Sequence, residues 1–142
     1  MATMKELLTE INADVKDILN LGFELSQVQS DYVPNYEDPG LTFGSGSTKR
    51  AKEIETCVLY ADIRNSTSLS HEHPKEVMAK LYTAFVKSVL SVAEHHGGVI
   101  RNIIGDRVMV VFPPRNCFVN AVDTAISINT VADRIINKLF NG

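Results

Sequence analysis

Apolar positions in this chain recur with a helical period in three places and collapse into short unbroken runs in three others. Over 4–21, Met4, Leu7, Leu8, Ile11, Val15, Ile18 and Leu19 follow the 3.6-residue period. Thr3 and Glu6 stand ready for a capping box and Gly22 for a stop. Lys5, Glu6, Glu10, Asp14, Lys16 and Asp17 lie mainly on the other face. This amphipathic helix either packs on its own domain or meets a partner helix. Its polar face is not basic, which argues against a membrane-surface helix. A second helix opens at Pro74 and runs to His96, with Val77, Met78, Leu81, Tyr82, Phe85, Val89, Leu90 and Ala93 inward and Gly97 as its stop. Asn116 caps a third, running to about Phe140 and ended by Asn141-Gly142. Its expected buried side is Phe118, Ala121, Val122, Ala125, Ile128, Ala132, Ile135 and Leu139.

The unbroken runs read as strands. Cys57 to Ala61 runs without a polar break into Asp62, inside a strand expected over 55–62 and buried on both faces. Val99 to Ile104 and Arg107 to Phe112, apolar but for Arg101, Asn102 and Arg107, read as two more strands, separated by Gly105-Asp106, a strong hairpin signal. Pro113-Pro114 ends the last, and a short turn of helix is expected at 66–70. Between helix and first strand, Ser30 to Arg50 carries Pro34, Pro39, Gly40, Gly44 and Gly46, the composition of a linker or irregular arm. The organisation is therefore an N-terminal helix over 1–29, an arm over 30–54 and the main domain over 55–142.

Composition narrows the function. The 142 residues suffice for one domain with a single core. With 44% hydrophobic residues, 22% charged residues and a net charge of −3, nothing suggests a basic nucleic-acid face. Cys57 and Cys117 read as reduced thiols of a cytoplasmic protein, not a disulfide framework. No signal peptide is visible, and no apolar stretch approaches the ~20 residues that span a bilayer. Phe43-Gly44-Ser45-Gly46-Ser47 has a glycine-loop look, but Thr48-Lys49 is the wrong order for a phosphate loop. Lys49, Arg50 and Lys52 read as a solvated cluster. His71, His73, His95 and His96 flank helix ends, where a dipole accounts for them without a metal.

The candidate chemistry lies where the first strand ends. Asp62 sits as the backbone leaves the sheet, and Asn65, Ser66 and Thr67 offer turn and N-cap chemistry just past it. A hairpin beside that strand brings Asp106 next to Asp62. Either aspartate alone reads more simply as structural, Asp62 ending a strand and Asp106 in a plain turn, since Asp is common in turns. Together they repel unless something positive lies between them, and Mg²⁺ is a hard cation that takes carboxylate oxygens.

Tyr60-Ala61-Asp62-Ile63-Arg64 through Thr67-Ser68-Leu69-Ser70 resembles the metal-binding strand of class III nucleotidyl cyclases. His96-Gly97-Gly98 through Ile104-Gly105-Asp106 and Val108-Met109 to Phe112 resembles their following hairpin, at a matching spacing of roughly forty residues. The resemblance covers about 55–128. It implies an α+β, ferredoxin-like catalytic domain, an antiparallel sheet with packed helices, of which this chain holds the N-terminal two-thirds. The family's later helix, with a transition-state Asn and Arg, has no counterpart after Asp106. The chain is thus expected to be a fragment, to lack a segment, or to need a partner.

The resemblance further implies a homodimer with shared sites and a nucleoside triphosphate substrate, with no nucleic acid or membrane partner. Asp62 and Asp106 would hold two Mg²⁺ or Mn²⁺ ions, helped by the backbone carbonyl of Ile63. The backbone from Asn65 through Ser66 to Thr67 would hold phosphate oxygens. Tyr60 and Asn102 would line the base pocket. Many purine cyclases carry Lys at the position of Asn102 and Phe at that of Tyr60. An amide and a phenol make a smaller, less cationic pocket. Arg101, beside Asn102, is expected on the other strand face. Asn65 and Ser66 replace a usual Gly-Phe. The pattern is similar to the bacterial pyrimidine cyclases of antiphage defence, which implies cyclisation of UTP, or of CTP, to a second messenger. The alternatives are an adenylyl or guanylyl cyclase with an altered pocket and a catalytically silent pairing module.

Overall fold

The apolar runs become strands and the periodic stretches helices, in the order α1 (Met4–Asn20), β1 (Gly22–Gln27), β2 (Thr48–Glu53), β3 (Val58–Ala61), α2 (Ser66–Glu72), α3 (Lys75–His95), β4 (Val99–Ile104), β5 (Arg107–Val111) and α4 (Cys117–Val131). A π-helical stretch, Ala132–Ile136, and a short α5 (Asn137–Asn141) continue α4. This computed structural model describes residues 1–28, 31–38, 41 and 48–141. The glycine run at 43–47 and the expected Gly142 stop lie outside the described residues. The chain divides into two compact units, Met1–Val28 with Pro34–Glu53, and Gln29–Val33 with Ile54–Gly142. Among the described residues no helix is long and apolar enough to cross a membrane.

In the smaller unit, α1 starts with the expected capping box: Thr3 Oγ1 accepts from the Glu6 amide, and the Thr3 amide donates to Glu6 Oε2 at 2.7 Å. Leu21 is the C-cap, and Gly22 begins a strand instead of stopping the helix. No α1 residue is buried. β1 and β2 pair in parallel from Gly22↔Thr48 to Gln27↔Glu53, within stretches that read as helix end and irregular arm. Lys52 is not solvated as expected. Its ammonium binds Asp38 at 2.9 Å, with the two side chains only 17% and 11% exposed.

In the larger unit the sheet order is β3-β5-β4, antiparallel throughout. Leu59, Ala61, Val108, Val110 and Ile100 pack on one face against Phe85, Val89 and Ala93 of α3, with Phe112, Cys117 and Ala121 completing the core. Burying a side chain such as Phe112 or Val110, both at 0% exposure, is worth about 1.5–3 kcal/mol. The other face is open. Val58 and Tyr60 are exposed, so β3 is shorter than 55–62 and is not buried on both faces.

α3 ends as its sequence demands. Gly97 takes φ +78°, its amide bonds Glu94 O, and the Gly98 amide bonds Ala93 O at 2.8 Å. These paired bonds close a Schellman motif, which needs a left-handed residue at Gly97. Two inward sets are corrected. Val77 is exposed, and in the last helical stretch Phe118, Val122, Ala125, Ile135 and Leu139 face outward, while Cys117, Ala121, Thr124 and Ile136 are buried. That helix is apolar nearly all round, so its periodicity does not select a face. Asn65 and Asn116 occupy N-cap positions with φ 55°, and neither side chain makes a capping bond. Asn is among the residues that tolerate this left-handed geometry.

Candidate active site

Register builds the site. Because Tyr60 pairs with Met109 and Met109 with Asn102, these three side chains share one row across the sheet. Leu59, Val110 and Ile100 form a neighbouring row and belong to the core. Strand side chains alternate between faces, so the Tyr60 row lies on the open face. Tyr60 is 60% exposed there, and its hydroxyl donates to Met109 Sδ at 3.4 Å. Asn102 is also exposed. It reaches this row because β4 shifts register between Ile100 and Asn102, leaving Arg101 as the extra residue. Simple alternation therefore does not describe Arg101, which donates to the Val33 carbonyl at 2.6 Å.

Asp62 follows directly on β3, one step beyond the last strand pair, Ala61↔Val108, and two positions after Tyr60. The Arg107 guanidinium donates to Asp62 Oδ2 from Nε at 3.4 Å and from NH2 at 3.2 Å. Asp106 stands next to Arg107 in the two-residue turn that joins β4 to β5. Gly105 opens that turn at φ +60°, the arrangement of a type II′ hairpin. Asp106 Oδ2 is buried and has no hydrogen-bond partner among the described residues. A buried acceptor left unpaired costs about 1–3 kcal/mol, more when charged. The sequence-selected Tyr60 and Asn102 thus share one face, with Asp62 just past the end of β3 and Asp106 in the adjoining turn.

Ile63 packs its side chain on the core and so pins the loop that leaves β3. Asn65, Ser66 and Thr67 follow at the start of α2, whose first amides have no partner within the helix. Sequence reasoning missed Arg107 and Met109. Both lie on alternate positions of β5, and the signal was the antiparallel register carried through the Gly105-Asp106 turn. A shallow groove between α3 and the hairpin, lined by Tyr82, Val86, Leu90, Glu94, Ile103 and Gly105, is separate from the Tyr60 row.

Among the described residues no three His, Cys, Asp or Glu side chains gather as a metal cluster. His96 Nε2 instead meets Ser127 Oγ at 3.0 Å. Asp62 and Asp106 each offer carboxylate oxygens, and Asp106 Oδ2 is buried with no partner among the described residues, the kind of donor that Mg²⁺ takes alongside water and substrate phosphate.

No protein-family model matches the chain. The chain is 33% identical over 105 residues to a uridylate cyclase of Burkholderia cepacia, covering 73% of this chain and 44% of that protein. It is 30% identical over 131 residues to a uridylate cyclase of Rhodovulum sp. (strain MB263), covering 92% of this chain and 51% of that protein. The chain thus spans about half the length of the curated relatives it matches. In structure it matches the adenylyl cyclase CyaB from P. aeruginosa with a TM-score of 0.54 and 27% identity, over 61% of this chain and 50% of that one. The chain carries the fold of a class III nucleotidyl cyclase domain over about 60% of its length. Within that class, its sequence relatives include the uridylate cyclases.

Proposed function

We propose that this chain carries the metal-binding part of a cyclase site that converts a pyrimidine nucleoside triphosphate, UTP before CTP, to its 3′,5′-cyclic monophosphate. The ribose 3′-oxygen attacks the α-phosphorus, the bond to the β-phosphate oxygen breaks, pyrophosphate leaves, and the 3′-hydroxyl proton passes to solvent. The observation that carries the reading is the unpaired buried Asp106 Oδ2 in the turn beside the residue that faces Asp62. Asp62 and Asp106 would hold two Mg²⁺ or Mn²⁺ ions, with the Ile63 carbonyl. When bound, the ions supply charge neutralisation at the phosphates and make the 3′-oxygen a better nucleophile. The backbone from Asn65 to Thr67 orients the phosphates. Tyr60 and Asn102 select the base, with Met109 between them. No nucleophilic side chain is needed, because positioning and electrostatics carry the rate.

The base-selecting row is an open surface, which supports a site closed by a second copy in a symmetric homodimer. The uridylate cyclase relatives favour uracil. The cyclic product would serve as a second messenger in antiphage defence. The test is product analysis of the full-length protein that carries this chain, with Mn²⁺ and each of the four ribonucleotides in turn. Cyclic UMP, or cyclic CMP, is the expected product. Faster turnover of ATP or GTP overturns the pyrimidine assignment, and no product from any nucleotide overturns the cyclase reading.

A further inference from the structure

Arg107 is in direct contact with one of the proposed metal ligands, Asp62, and the form of that contact is informative. Both of its hydrogen bonds go to one oxygen, Asp62 Oδ2, at 3.4 and 3.2 Å. A guanidinium that forks across both carboxylate oxygens is held more firmly than this. The pair is also open to solvent, at 59% exposure for Arg107 and 42% for Asp62, and exposed ion pairs are weakly coupled. A weak, solvent-exposed ion pair of this kind yields to a competing cation. Meanwhile Asp106, one residue away, keeps Oδ2 buried, with no partner among the described residues. One carboxylate carries a counter-cation and the other does not.

We propose that Arg107 is a resident counter-cation: without metal its guanidinium holds Asp62, and a divalent cation takes that carboxylate by displacing it. The inference rests on the reading of Asp62 and Asp106 as metal ligands. Arg107 then limits the affinity for metal by holding the Asp62 carboxylate until the cation takes it. Displacement moves a whole side chain, so it has a signature other than turnover.

The test uses the full-length protein and Mg²⁺ alone. Arginine Nε–H resonances are followed by NMR through a Mg²⁺ titration, and Mg²⁺ affinity is measured by calorimetry in wild type, Arg107→Met and Asp106→Asn. The expected result is one Nε–H resonance, absent from Arg107→Met, that shifts in step with Mg²⁺ saturation. Arg107→Met should bind Mg²⁺ roughly two- to fivefold more tightly, the range of an exposed ion pair. If the Met variant does not fold, Arg107→Lys assigns the resonance, because it keeps the charge and lacks the Nε–H. A resonance that stays still while Mg²⁺ binds, in a titration that Asp106→Asn weakens, overturns the counter-cation role alone. A Mg²⁺ isotherm that Asp106→Asn leaves unchanged overturns the metal-ligand reading and this proposal with it.

Discussion

Gly98 lies so close to Phe112 that a β-carbon on it would stand 2.9 Å from the ring, and 2.5 Å from Val110 Cγ1. Both neighbours are fully buried, so neither can swing away. The helix α3 can therefore turn into β4 only with glycine at this point. Gly98→Ala should destabilise the protein by about 1–3 kcal/mol, the usual range for overpacking a dense core. Gly97→Ala should cost less, about 1–2 kcal/mol, because it meets open space and suffers only the left-handed φ. Chemical denaturation of both variants measures the order. Equal stability of Gly98→Ala and wild type would refute the close packing.

On the proposed reading, Asp106 couples stability to function in the opposite sense. Its buried, unpaired Oδ2 is a liability to the metal-free fold. Asp106→Ala or Asp106→Asn should abolish metal-dependent cyclisation while leaving the metal-free melting temperature equal or higher. Mg²⁺ at a hundredfold excess over its dissociation constant should stabilise the wild type by about 2.7 kcal/mol and the variants hardly at all. Thermal melts with and without Mg²⁺ read this directly. A variant that melts well below wild type without metal would show that the aspartate serves the fold.

Legibility from sequence followed locality. The capping box of α1, both ends of α3 and the Gly105-Asp106 hairpin rest on neighbouring residues, and each could be read from the chain alone. The open face of β3 could not. The run Cys57–Ala61 is apolar throughout, and nothing in its composition tells a strand covered on both sides from one covered on a single side. β1 and β2 escaped for a different reason. Thr48–Glu53 is charged along most of its length, and its pairing with Gly22–Gln27 is parallel and distant in sequence. In α4 the apolar positions surround the helix, so the choice of Ala121 and Thr124 over Val122 and Ala125 belongs to tertiary packing. Asp62 and Asp106 were chosen from the sequence as types of residue in a pattern. Arg107 and Met109 needed the register between strands.

The N-terminal cap carries its own pH dependence. The amide and hydroxyl of Thr3 both donate to the Glu6 carboxylate, and the backbone bond, then the side-chain bond, hold its pKa below the ordinary value of 4.5. A carboxyl with a lowered folded value stabilises the fold above its unfolded value, and that contribution fades as pH falls through the lowered one. The Thr3 amide signal should therefore move below pH 4.5, in step with loss of helical signal from the first turn. NMR of the intact protein follows both. Glu6→Gln should remove the transition, and its persistence in that variant would assign it to another group.

The base is the sharpest expectation. Tyr60, Met109 and Asn102 form one row, and the phenol is tied to the thioether at 3.4 Å. Tyr60 is thereby tied to the middle strand, in the row that Asn102 shares. The Asn102 amide offers both donors and an acceptor, which can match uracil or cytosine. A site built on such hydrogen bonds rejects a mismatched base strongly, because its polar groups then stay unpaired. Tyr60→Ala widens the row and leaves Asp62 and Asp106 in place. It should relax selectivity toward ATP and GTP by about tenfold or more, in the ratio of kcat/KM values, while total turnover falls less. Asn102→Lys adds charge and length at the base edge and should shift preference toward a purine. Competition assays with paired nucleotides measure both. If Tyr60→Ala lowers all four rates equally, the tyrosine supports the sheet and does not choose the base.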